Sequence, residues 1–421
     1  IFALDKINYK ITMKIKTGLL SLMIVCGACS RTTQPADVLK DNFDFASGQL
    51  NFAFSEIDQV KSAFTEEQKE KMLVSPRNIE PDGSLHLVAS RDWCSGFFPG
   101  ELWYMYEYTG NEYWRQKAEE FTAPIEREKT NGRTHDMGFK VFCSFGNGYR
   151  LTHNSDYKGI LIESAETLIT RYKPNVGCIR SWDHNKDKWQ CPVIIDNMMN
   201  LELLFWAYKQ TNREEFYDIA VNHARTTMKN HFRDDYSSYH VIDYDTISGE
   251  VLKKNTHQGY AHESAWSRGQ AWGLYGYTMC YRETNLPEFL EQAKHIANYI
   301  FTSKTLPEDL IPYWDFNAPN IPDEPRDVSA AAVIACALYE LSMYDKDNAV
   351  QYKEWADTIV SNLSKNYRAA LNGDRGFLLL HSTGSAPHKS EIDVPIVYAD
   401  YYFLEALLRK SKLEKEGNAV L

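Results

Sequence analysis

The chain has 421 residues, 43% of them hydrophobic, which is enough to bury one large core or two ordinary ones. The formal net charge at pH 7 is −11, and a protein this acidic is excluded as a nucleic-acid binder. Aromatic residues make up 13% of the sequence, a content that suits stacking on flat partners such as sugar rings and equally suits an ordinary core.

The segment from Met13 to Cys29 has the layout of a secretory signal, with a basic start, a short apolar run and small residues. The apolar run is too short to span a membrane. The Gly-Ala-Cys ending resembles a bacterial lipoprotein cleavage site, which predicts a lipid anchor on Cys29 and an exported, periplasmic or membrane-anchored lipoprotein; an uncleaved hydrophobic terminus is the alternative. Residues 1–29 are set apart as an upstream extension and signal, and their loss would change the net charge to −11 − 3 = −14. Residues 30–421 are predicted to form a single domain.

Beyond residue 37 nearly every segment has the apolar periodicity of an amphipathic helix, and the helices come in pairs. The first members are predicted to begin near Gly96, Met137, Ile194, Glu263, Val328 and Val394. The partners are predicted to begin near Glu112, Asp156, Arg213, Pro287 and Val350, and an N-terminal helix over 38–60 makes a twelfth. Short turns separate the members, each with an asparagine, at positions 111, 154, 212, 285 and 348. The pattern indicates a repeat of six helical hairpins with unequal loops.

Six hairpins either stack as an open solenoid or close into a ring. The first members are the more apolar, and residues 330–338 are polar on no face, as an inner ring of helices inside an outer ring requires. The predicted fold is therefore all-α, an (α/α)6 barrel of six helical hairpins. The long connections then gather at one end of the barrel: 82–95, 129–136, 173–193, 232–265, 306–327 and 371–393. Residues 240–252 alternate around Ser-Gly and are predicted to be a β-hairpin.

Long loops gathered at one end of a barrel are the expected place for a functional site. Unusual polar and aromatic residues fall in these loops or in the first turns of the inner helices: Trp93, His135, Asp136, Asp196, Gln258, Arg268 and Trp272. Each has an ordinary alternative. Asp196, expected in the first turn of a buried helix, would then cap it, His135 would cap another, Trp272 would be core and Arg268 would pair with Glu263 or another acid. The convergence of all of them at one mouth favours a functional site.

No metal or phosphate motif competes with this interpretation. Residues 183–187 have the polar spacing of a calcium loop, but Lys188 stands where glycine is required and Ile194 where the bidentate glutamate belongs. The sequence has no H-E-x-x-H, P-loop or G-x-S-x-G motif, so no metal and no cofactor is predicted. Six cysteines follow residue 29; Cys178 and Cys191 are able to pair across their loop in an oxidising compartment, and the sequence leaves this open.

Five motifs occur along the chain in an order typical of one family: Asp92-Trp-Cys-Ser-Gly-Phe97, Thr134-His-Asp-Met-Gly-Phe139, Ile194-Ile-Asp-Asn-Met-Met-Asn-Leu201, Thr256-His-Gln-Gly-Tyr260 and Trp266-Ser-Arg-Gly-Gln-Ala-Trp272. In these motifs the chain resembles the unsaturated glucuronyl hydrolases of glycoside hydrolase family 88, over roughly residues 40–412. The resemblance implies an (α/α)6 barrel, in agreement with the helix pairing. It also implies hydration of the C4=C5 double bond at the non-reducing end of lyase-generated oligosaccharides, here of glycosaminoglycan type. The expected partners are therefore unsaturated uronyl oligosaccharides.

The resemblance further implies roles for single residues. Asp196 matches the family's general acid and base, and Asp136 its second essential carboxylate. The remaining matches stack on the substrate or bind it: Trp93 and Trp272 as stacking walls, and His135, His240, Gln258, Arg268 and Tyr398 as binding residues. The tyrosine is one of those in 398–402. Members that accept sulfated substrates show Ser-x-x-Ser-x-Lys; Ser382 and Ser385 are present here, but Pro387 replaces the lysine, with Lys389 two places on, which leaves sulfate preference open.

Protonation of an enol ether carbon requires an acid that is still protonated near neutral pH. An aspartate meets this condition only if burial or a nearby like charge raises its pKa from about 3.9. The expectation is therefore a raised pKa for Asp196, with Asp136 as the neighbouring charge.

Two alternatives remain open on the sequence. An unsaturated rhamnogalacturonyl hydrolase shares the barrel and the chemistry and acts on pectin fragments. A non-catalytic surface lipoprotein that captures glycans with its aromatic mouth would need neither Asp136 nor Asp196. No pattern in the sequence gives the preferred linkage, the tolerated sulfation or the oligomeric state.

Overall fold

The computed structural model describes residues 38–418, with side chains as far as residue 415. The predicted secretory signal and Cys29 lie outside the described residues. The α-helices are α1 (Val38–Ser62), α2 (Glu66–Glu70), α3 (Phe97–Thr109), α4 (Glu112–Thr122), α5 (Asn147–Thr152), α6 (Ser155–Ile169), α7 (Leu201–Thr211), α8 (Glu214–His231), α9 (Ser267–Thr284), α10 (Pro287–Thr302), α11 (Val328–Tyr344), α12 (Ala349–Asn366) and α13 (Val397–Asn418). No helix in this part of the chain is long and apolar enough to cross a membrane.

An inner ring of helices surrounds the barrel axis. It runs through α3, the π-helical segment Gly138–Gly146 with α5, then α7, α9, α11 and α13, and α13 packs back against α3. The outer helices α4, α6, α8, α10 and α12 each pack on the inner element that precedes them, and α1 packs against α13 and α3. The ring is closed, so the predicted (α/α)6 barrel of six helical hairpins is confirmed.

The inner helices are apolar because they are buried on all sides. In α11 every residue from Val328 to Ser342 is buried, including the stretch 330–338 that is polar on no face. The outer helices bury one face only, as in α4, where Trp114, Ala118 and Phe121 point inward. This difference between the two rings is the one that the sequence pattern predicts.

The asparagines of the short turns serve two different purposes. Asn212 and Asn285 end α7 and α9 in the left-handed conformation, with φ of 54° and 56°, which asparagine adopts more readily than most residues. Asn111 and Asn154 instead begin α4 and α6, where each side chain accepts a hydrogen bond from the backbone N–H two residues on. A single repeated residue thus stops some helices and starts others.

Short antiparallel strands occupy the long connections. They are β1 (Leu73–Ile79), β2 (Leu85–Ala89), β3 (Tyr172–Lys173), β4 (Cys178–Ile179), β5 (Pro192–Ile194), β6 (Val241–Tyr244), β7 (Val251–Asn255), β8 (Ser382–Ser385) and β9 (Ser390–Val394). Strands β6 and β7 are the predicted hairpin, and β5 adds a third strand to it. The pairs β1–β2 and β8–β9 lack a clear alternating pattern and were not predicted.

Three inner helices, α7, α9 and α13, begin later than predicted because strand-like backbone precedes them. Helix α9 begins at Ser267 instead of near Glu263, since Trp266 forms a β-bridge with Asp315. Helix α13 begins at Val397 because β9 extends to Val394.

All six cysteines within the described residues are buried and free. Cys178 and Cys191 belong to one apolar cluster with Val193 and Tyr244, but they form no disulfide in this structure. Burial raises the pKa of Cys191 to about 11, which keeps its thiol protonated at neutral pH and therefore unreactive.

Candidate active site

A cavity of about 320 Å³ opens among the long connections. Its wall comes from the loops before α3, before the π-helical segment, before α7 and before α9. Seven of the nine predicted site residues line it: Trp93, His135, Asp136, Asp196, His240, Gln258 and Arg268. Trp272 and Tyr398 do not line it. The structure thus brings together residues that lie as far as 175 positions apart, from Trp93 to Arg268.

Asp196 lies in the 3-10 turn Ile195–Asn200, and α7 begins only at Leu201. The expectation that Asp196 opens an α-helix is therefore wrong. The reason is the sheet: β5 pairs with β6, and the N–H of Ile195 still donates to the carbonyl of His240 at 3.1 Å, so the backbone stays extended up to this point. The turn has no side-chain cap, and Oδ1 of Asp196 is buried without a hydrogen-bond partner among the described residues. Capping is thus not the role of this carboxylate.

The pKa of Asp196 is lowered, not raised as the required chemistry led us to expect. Burial acts to raise it, but the Nε2–H of His240, 3.5 Å from Oδ1, and the charges of Arg268 and His135 outweigh burial. Asp136, which was expected to raise this pKa, is not among the largest contributions to it. In the substrate-free enzyme Asp196 is therefore an ionised acceptor near the Arg268 cation and the ring N–H of His240.

Asp136 and His135 form the other half of the site, at the start of the π-helical segment. Asp136 Oδ2 accepts a hydrogen bond from the hydroxyl of Thr134 at 2.7 Å, and Oδ1 lies 3.2 Å from Nε2 of His135. His135 is buried, and its Nδ1 contacts the carbonyl oxygen of Ser181 at 2.8 Å. His135 therefore caps no helix; it ties Asp136 to the connection that precedes α7.

Arg268 is fully buried, and its charge is matched. Its Nη1 donates to Oδ2 of Asp327 at 2.6 Å and to the carbonyl of Thr383 at 2.7 Å, and its Nη2 donates to the carbonyl of Gly384 at 2.6 Å. Gln258 donates to the same Gly384 carbonyl at 3.0 Å. Arg268 thus pairs with an acid, although not with Glu263, which lies 3.4 Å from Arg233. The guanidinium still lines the cavity and holds the hairpin β8–β9 beside it.

The three predicted aromatic residues lie at different depths. Trp93 lines the cavity and packs against Tyr398, with ring centroids 4.9 Å apart. Tyr398 is fully buried between Trp93 and Arg268, and its hydroxyl has no partner among the described residues. Trp272 is fully buried behind Phe139, 5.3 Å from its ring, and Phe139 forms part of the wall. Direct stacking of Trp272 on a sugar stays a prediction, and in this structure it supports Phe139.

The cavity also contains residues that the sequence analysis missed. Trp182 and His184 come from the connection before α7, and His257 from the connection before α9. Their rings form a row, with Trp182 5.5 Å from His184 and 5.7 Å from His257. Burial lowers the pKa of His257 to about 4. For Trp182 and His184 the available signal was the density of Trp and His in 182–189, which the comparison with a calcium loop obscured, whereas His257 lies within the motif 256–260 and was not singled out.

The serines of the partial sulfate motif lie on β8. Ser382 is buried, and Ser385 is in contact with Nδ1 of His388 at 2.7 Å. The ring of His388 lies 4.5 Å from that of His257, so this hairpin reaches the mouth of the cavity. Lys389 has a left-handed backbone with φ of 53° and ends the turn after Pro387.

Comparison with known proteins agrees with this geometry. The family model described as Glycosyl Hydrolase Family 88 matches residues 57–403. An unsaturated glucuronyl hydrolase of Formosa agariphila is 54% identical over 78% of this chain and 82% of its own length. An unsaturated chondroitin disaccharide hydrolase of Streptococcus agalactiae is 36% identical over 77% of this chain and 82% of its own. A crystal structure of an unsaturated glucuronyl hydrolase specific for heparin superposes with a TM-score of 0.84, at 47% identity, over 90% of this chain and 99% of that one.

The matched region spans the inner ring from α3 to α13 and contains all nine predicted site residues. Since the family model covers most of the chain and the relatives and the fold agree with it, the chain belongs to glycoside hydrolase family 88.

Proposed function

We propose that this enzyme hydrates the C4=C5 double bond of an unsaturated uronic acid at the non-reducing end of glycosaminoglycan oligosaccharides released by lyases. The observation that carries the proposal is Asp196, a buried acid that lines the cavity and whose Oδ1, 3.5 Å from Nε2 of His240, has no hydrogen-bond partner among the described residues. Relatives named for unsaturated glucuronyl, chondroitin and heparin substrates support the substrate class.

The first step is transfer of a proton from Asp196 to C4 of the enol ether. The C4=C5 electron pair forms the new C–H bond, and the positive charge left at C5 is shared with the ring oxygen. Asp196 must hold a proton at this moment, although its pKa is lowered in the free enzyme. The substrate itself supplies the change, because its carboxylate brings a negative charge into the cavity and a like charge raises the pKa of a carboxyl group.

The second step is addition of water at C5. Asp196, now ionised, takes a proton from the water as its oxygen bonds to C5, which restores the acid. The ring N–H of His240 faces Oδ1 and favours this ionised state. The product is a hemiketal, which opens to a ketone at C5 and leaves a hemiacetal at C1. The hemiacetal expels the rest of the oligosaccharide as an alcohol, so no acid acts directly on the glycosidic oxygen.

Isotope labelling tests this mechanism directly. Turnover in water enriched in heavy oxygen is expected to place the label at C5, and turnover in deuterated water to leave deuterium at C4. A saturated glucuronide is the matched control and is expected to be inert, because it has no double bond for Asp196 to protonate. Rapid cleavage of the saturated glucuronide, or turnover that leaves no deuterium at C4, would return Asp136 and Asp196 to conventional acid and base roles.

A substrate panel then fixes the class of oligosaccharide. Unsaturated disaccharides from chondroitin and from heparin are expected to be cleaved, and the unsaturated rhamnogalacturonyl disaccharide from pectin to be a poor substrate. Faster cleavage of the pectin product would favour the rhamnogalacturonyl alternative. Binding of all of them with turnover of none would favour a capture protein.

We also propose that the protein is exported and anchored by a lipid on Cys29. The basic, apolar and small-residue layout of residues 13–29 supports this. Labelling of cells with a radioactive fatty acid is expected to mark the protein and to fail for Cys29→Ser. A soluble, unlabelled wild-type protein in the cytoplasmic fraction would contradict the proposal.

A further inference from the structure

One buried carboxylate outside the wall of the active-site cavity, that of Glu128, accepts hydrogen bonds from three different parts of the chain. Glu128 lies in the 3-10 helix Ala123–Thr130 and is buried. Its Oε1 accepts from the hydroxyl of Ser90 at 2.7 Å. Its Oε2 accepts from the side-chain amide of Asn131 at 2.7 Å and from the ammonium group of Lys140 at 3.1 Å. Burial acts to raise the pKa of Glu128, but the charge of Lys140 and these hydrogen bonds outweigh burial and lower the pKa.

Two of the three donors stand at the ends of the segment that carries Asp136. At the start, the side-chain oxygen of Asn131 accepts from the backbone N–H of Arg133 at 3.2 Å. At the end, the backbone N–H of Lys140 donates to the carbonyl of Asp136 itself at 3.1 Å. A single carboxylate thus holds both ends of a ten-residue segment, with Asp136 between them. We call the stretch from Asn131 to Lys140 the Asp136 segment.

The third donor belongs to the loop that carries Trp93. The carbonyl of Ser90 accepts a hydrogen bond from the hydroxyl of Ser95 at 2.7 Å, so the two serines close the loop on either side of Trp93. Because Ser90 also donates to Glu128, this loop and the Asp136 segment are fixed to the same carboxylate. Trp93 and Asp136 both line the cavity.

A gain in stability alone does not account for this arrangement. The side chain of Lys140 is fully buried, and a buried ion pair is often no more stabilising than apolar residues of the same volume. Lys140 also lies in the π-helical segment Gly138–Gly146. Backbone of this type is rare and occurs mostly as single turns, so its position depends on tertiary contacts such as the one to Glu128.

We propose that Glu128 positions Asp136 and Trp93 against the substrate by holding both of their segments at one buried point. Glu128 does not line the cavity, so it is a positioning residue and not a catalytic one. The part that Asp136 plays in turnover rests on the proposed function, whereas the hydrogen bonds to Glu128 do not.

A double-mutant cycle on kcat tests the positioning of Asp136. Asn131→Ala removes one of the two links to the Asp136 segment and leaves the ion pair of Glu128 with Lys140 in place. With an unsaturated chondroitin disaccharide, this variant is expected to lower kcat about 10- to 10²-fold, the effect of a small misplacement of a reacting group. In an Asp136→Asn background the same change is expected to lower kcat less than about twofold, because the residue that it misplaces is already disabled.

Glu128→Asp provides a second variant, because it keeps the charge that Lys140 requires and shortens the side chain by one methylene group. It is expected to show the same dependence on Asp136. The matched control is Asn362→Ala, which removes a side-chain hydrogen bond to the carbonyl of Asp309 on an outer helix and is expected to leave kcat unchanged in both backgrounds. An equal loss of kcat with and without Asp136, or a wild-type kcat in Asn131→Ala, overturns the proposal.

Hydrogen exchange in the free protein tests the same links without a substrate. Asn131→Ala and Glu128→Asp are expected to speed amide exchange in the Asp136 segment and in the loop between Ser90 and Ser95, while Asn362→Ala leaves both as in wild type. Unchanged exchange in the Asp136 segment would overturn the proposal. Faster exchange there, in a protein that turns over no unsaturated disaccharide, would support the links to Glu128 and count against the proposed function alone.

Discussion

The barrel has a cavity at each end, and the two cavities differ in what their polar groups do. At the end with the long connections the cavity measures about 320 Å³, and His135, Asp196 and His240 each present a buried atom without a hydrogen-bond partner among the described residues. At the end with the short turns the cavity is larger, about 600 Å³. Its arginines are paired, with Arg282 at 2.9 Å from Glu340 and Arg409 at 2.7 Å from Glu405.

The comparison shows that cavity size does not locate the chemistry. Glu340 lies on α11, between Arg282 of α9 and Arg409 of α13. Burial acts to raise its pKa, but the two guanidinium groups outweigh burial and lower the pKa to about 2. The ion pairs of Glu340 with Arg282 and Arg409 therefore hold three inner helices together. At the other end His135, Asp196 and His240 retain buried polar atoms without a hydrogen-bond partner among the described residues, at a cost in stability.

The largest effect is expected for Asp196→Asn. The amide keeps the size of the side chain but has no proton to give, so kcat is expected to fall about 10²- to 10⁴-fold with an unchanged circular dichroism spectrum. Steady-state assay on an unsaturated disaccharide measures the loss. A variant that retains more than about a tenth of the wild-type rate would assign the acid to another residue.

The matched change at the other end is Glu340→Gln. It leaves Arg282 and Arg409 without their shared partner, and breaking a buried ion pair costs about 3–5 kcal/mol. Denaturant unfolding is expected to show this loss, while kcat of the folded enzyme at neutral pH is expected to stay near that of wild type. A large fall in kcat with unchanged stability would mean that the larger cavity takes part in the reaction.

Much of this arrangement is readable from the sequence because it depends on periodicity and order. Apolar residues on all faces of α11 predict an inner helix, and repeated turns predict hairpins. The five motifs contain six of the seven predicted residues that the structure places around the cavity, and His240 lies outside them. These features are local, so a single stretch of chain contains the whole signal.

Features that depend on distant partners were not predictable. The strand pairing of β5 with β6 turns the expected helix start at Asp196 into a 3-10 turn. The pKa of Asp196 is lowered by His240 and Arg268, which lie 44 and 72 positions away in sequence. Asp327, the partner of Arg268, belongs to no motif. The acid that pairs with a buried arginine has no sequence signature, because any acidic residue that the fold places beside the guanidinium is sufficient.

Arg268 combines the properties of both ends, because it lines the active-site cavity and is also paired. Arg268→Ala is expected to lower kcat/KM by an amount that corresponds to a rise of about 1.5–3 kcal/mol in the activation free energy. It is also expected to destabilise the fold, because Asp327 is left buried and unpaired. Arg268→Ala/Asp327→Asn is expected to recover stability and not kcat/KM, as measured by unfolding and by assay. If the double variant recovered both stability and kcat/KM, the role of Arg268 would be structural only.

The smallest effect concerns buried polar atoms that lie outside both cavities. Nε2 of His223 and Nδ1 of His231, both on α8, also have no partner among the described residues. A missing partner is therefore not sufficient to mark a site, and these rings are expected to affect stability instead of activity. Burial lowers the pKa of each from 6.5 to about 3.

The direction in which these two histidines change the folding stability with pH follows from proton binding in the folded and unfolded states. Below pH 6.5 the unfolded chain binds a proton on each ring, while the folded protein does so only near pH 3. Stability is therefore expected to fall as the pH drops through this window, by about 1.4 kcal/mol per pH unit for each histidine. Urea unfolding of wild type and His223→Gln between pH 7 and pH 5 gives the slope of the unfolding free energy against pH for each protein. The difference between the two slopes isolates His223, because the other titrating groups contribute equally to both. Parallel stability curves would show that His223 is already charged in the folded protein, and a fall in kcat at pH 7 would place it in the reaction.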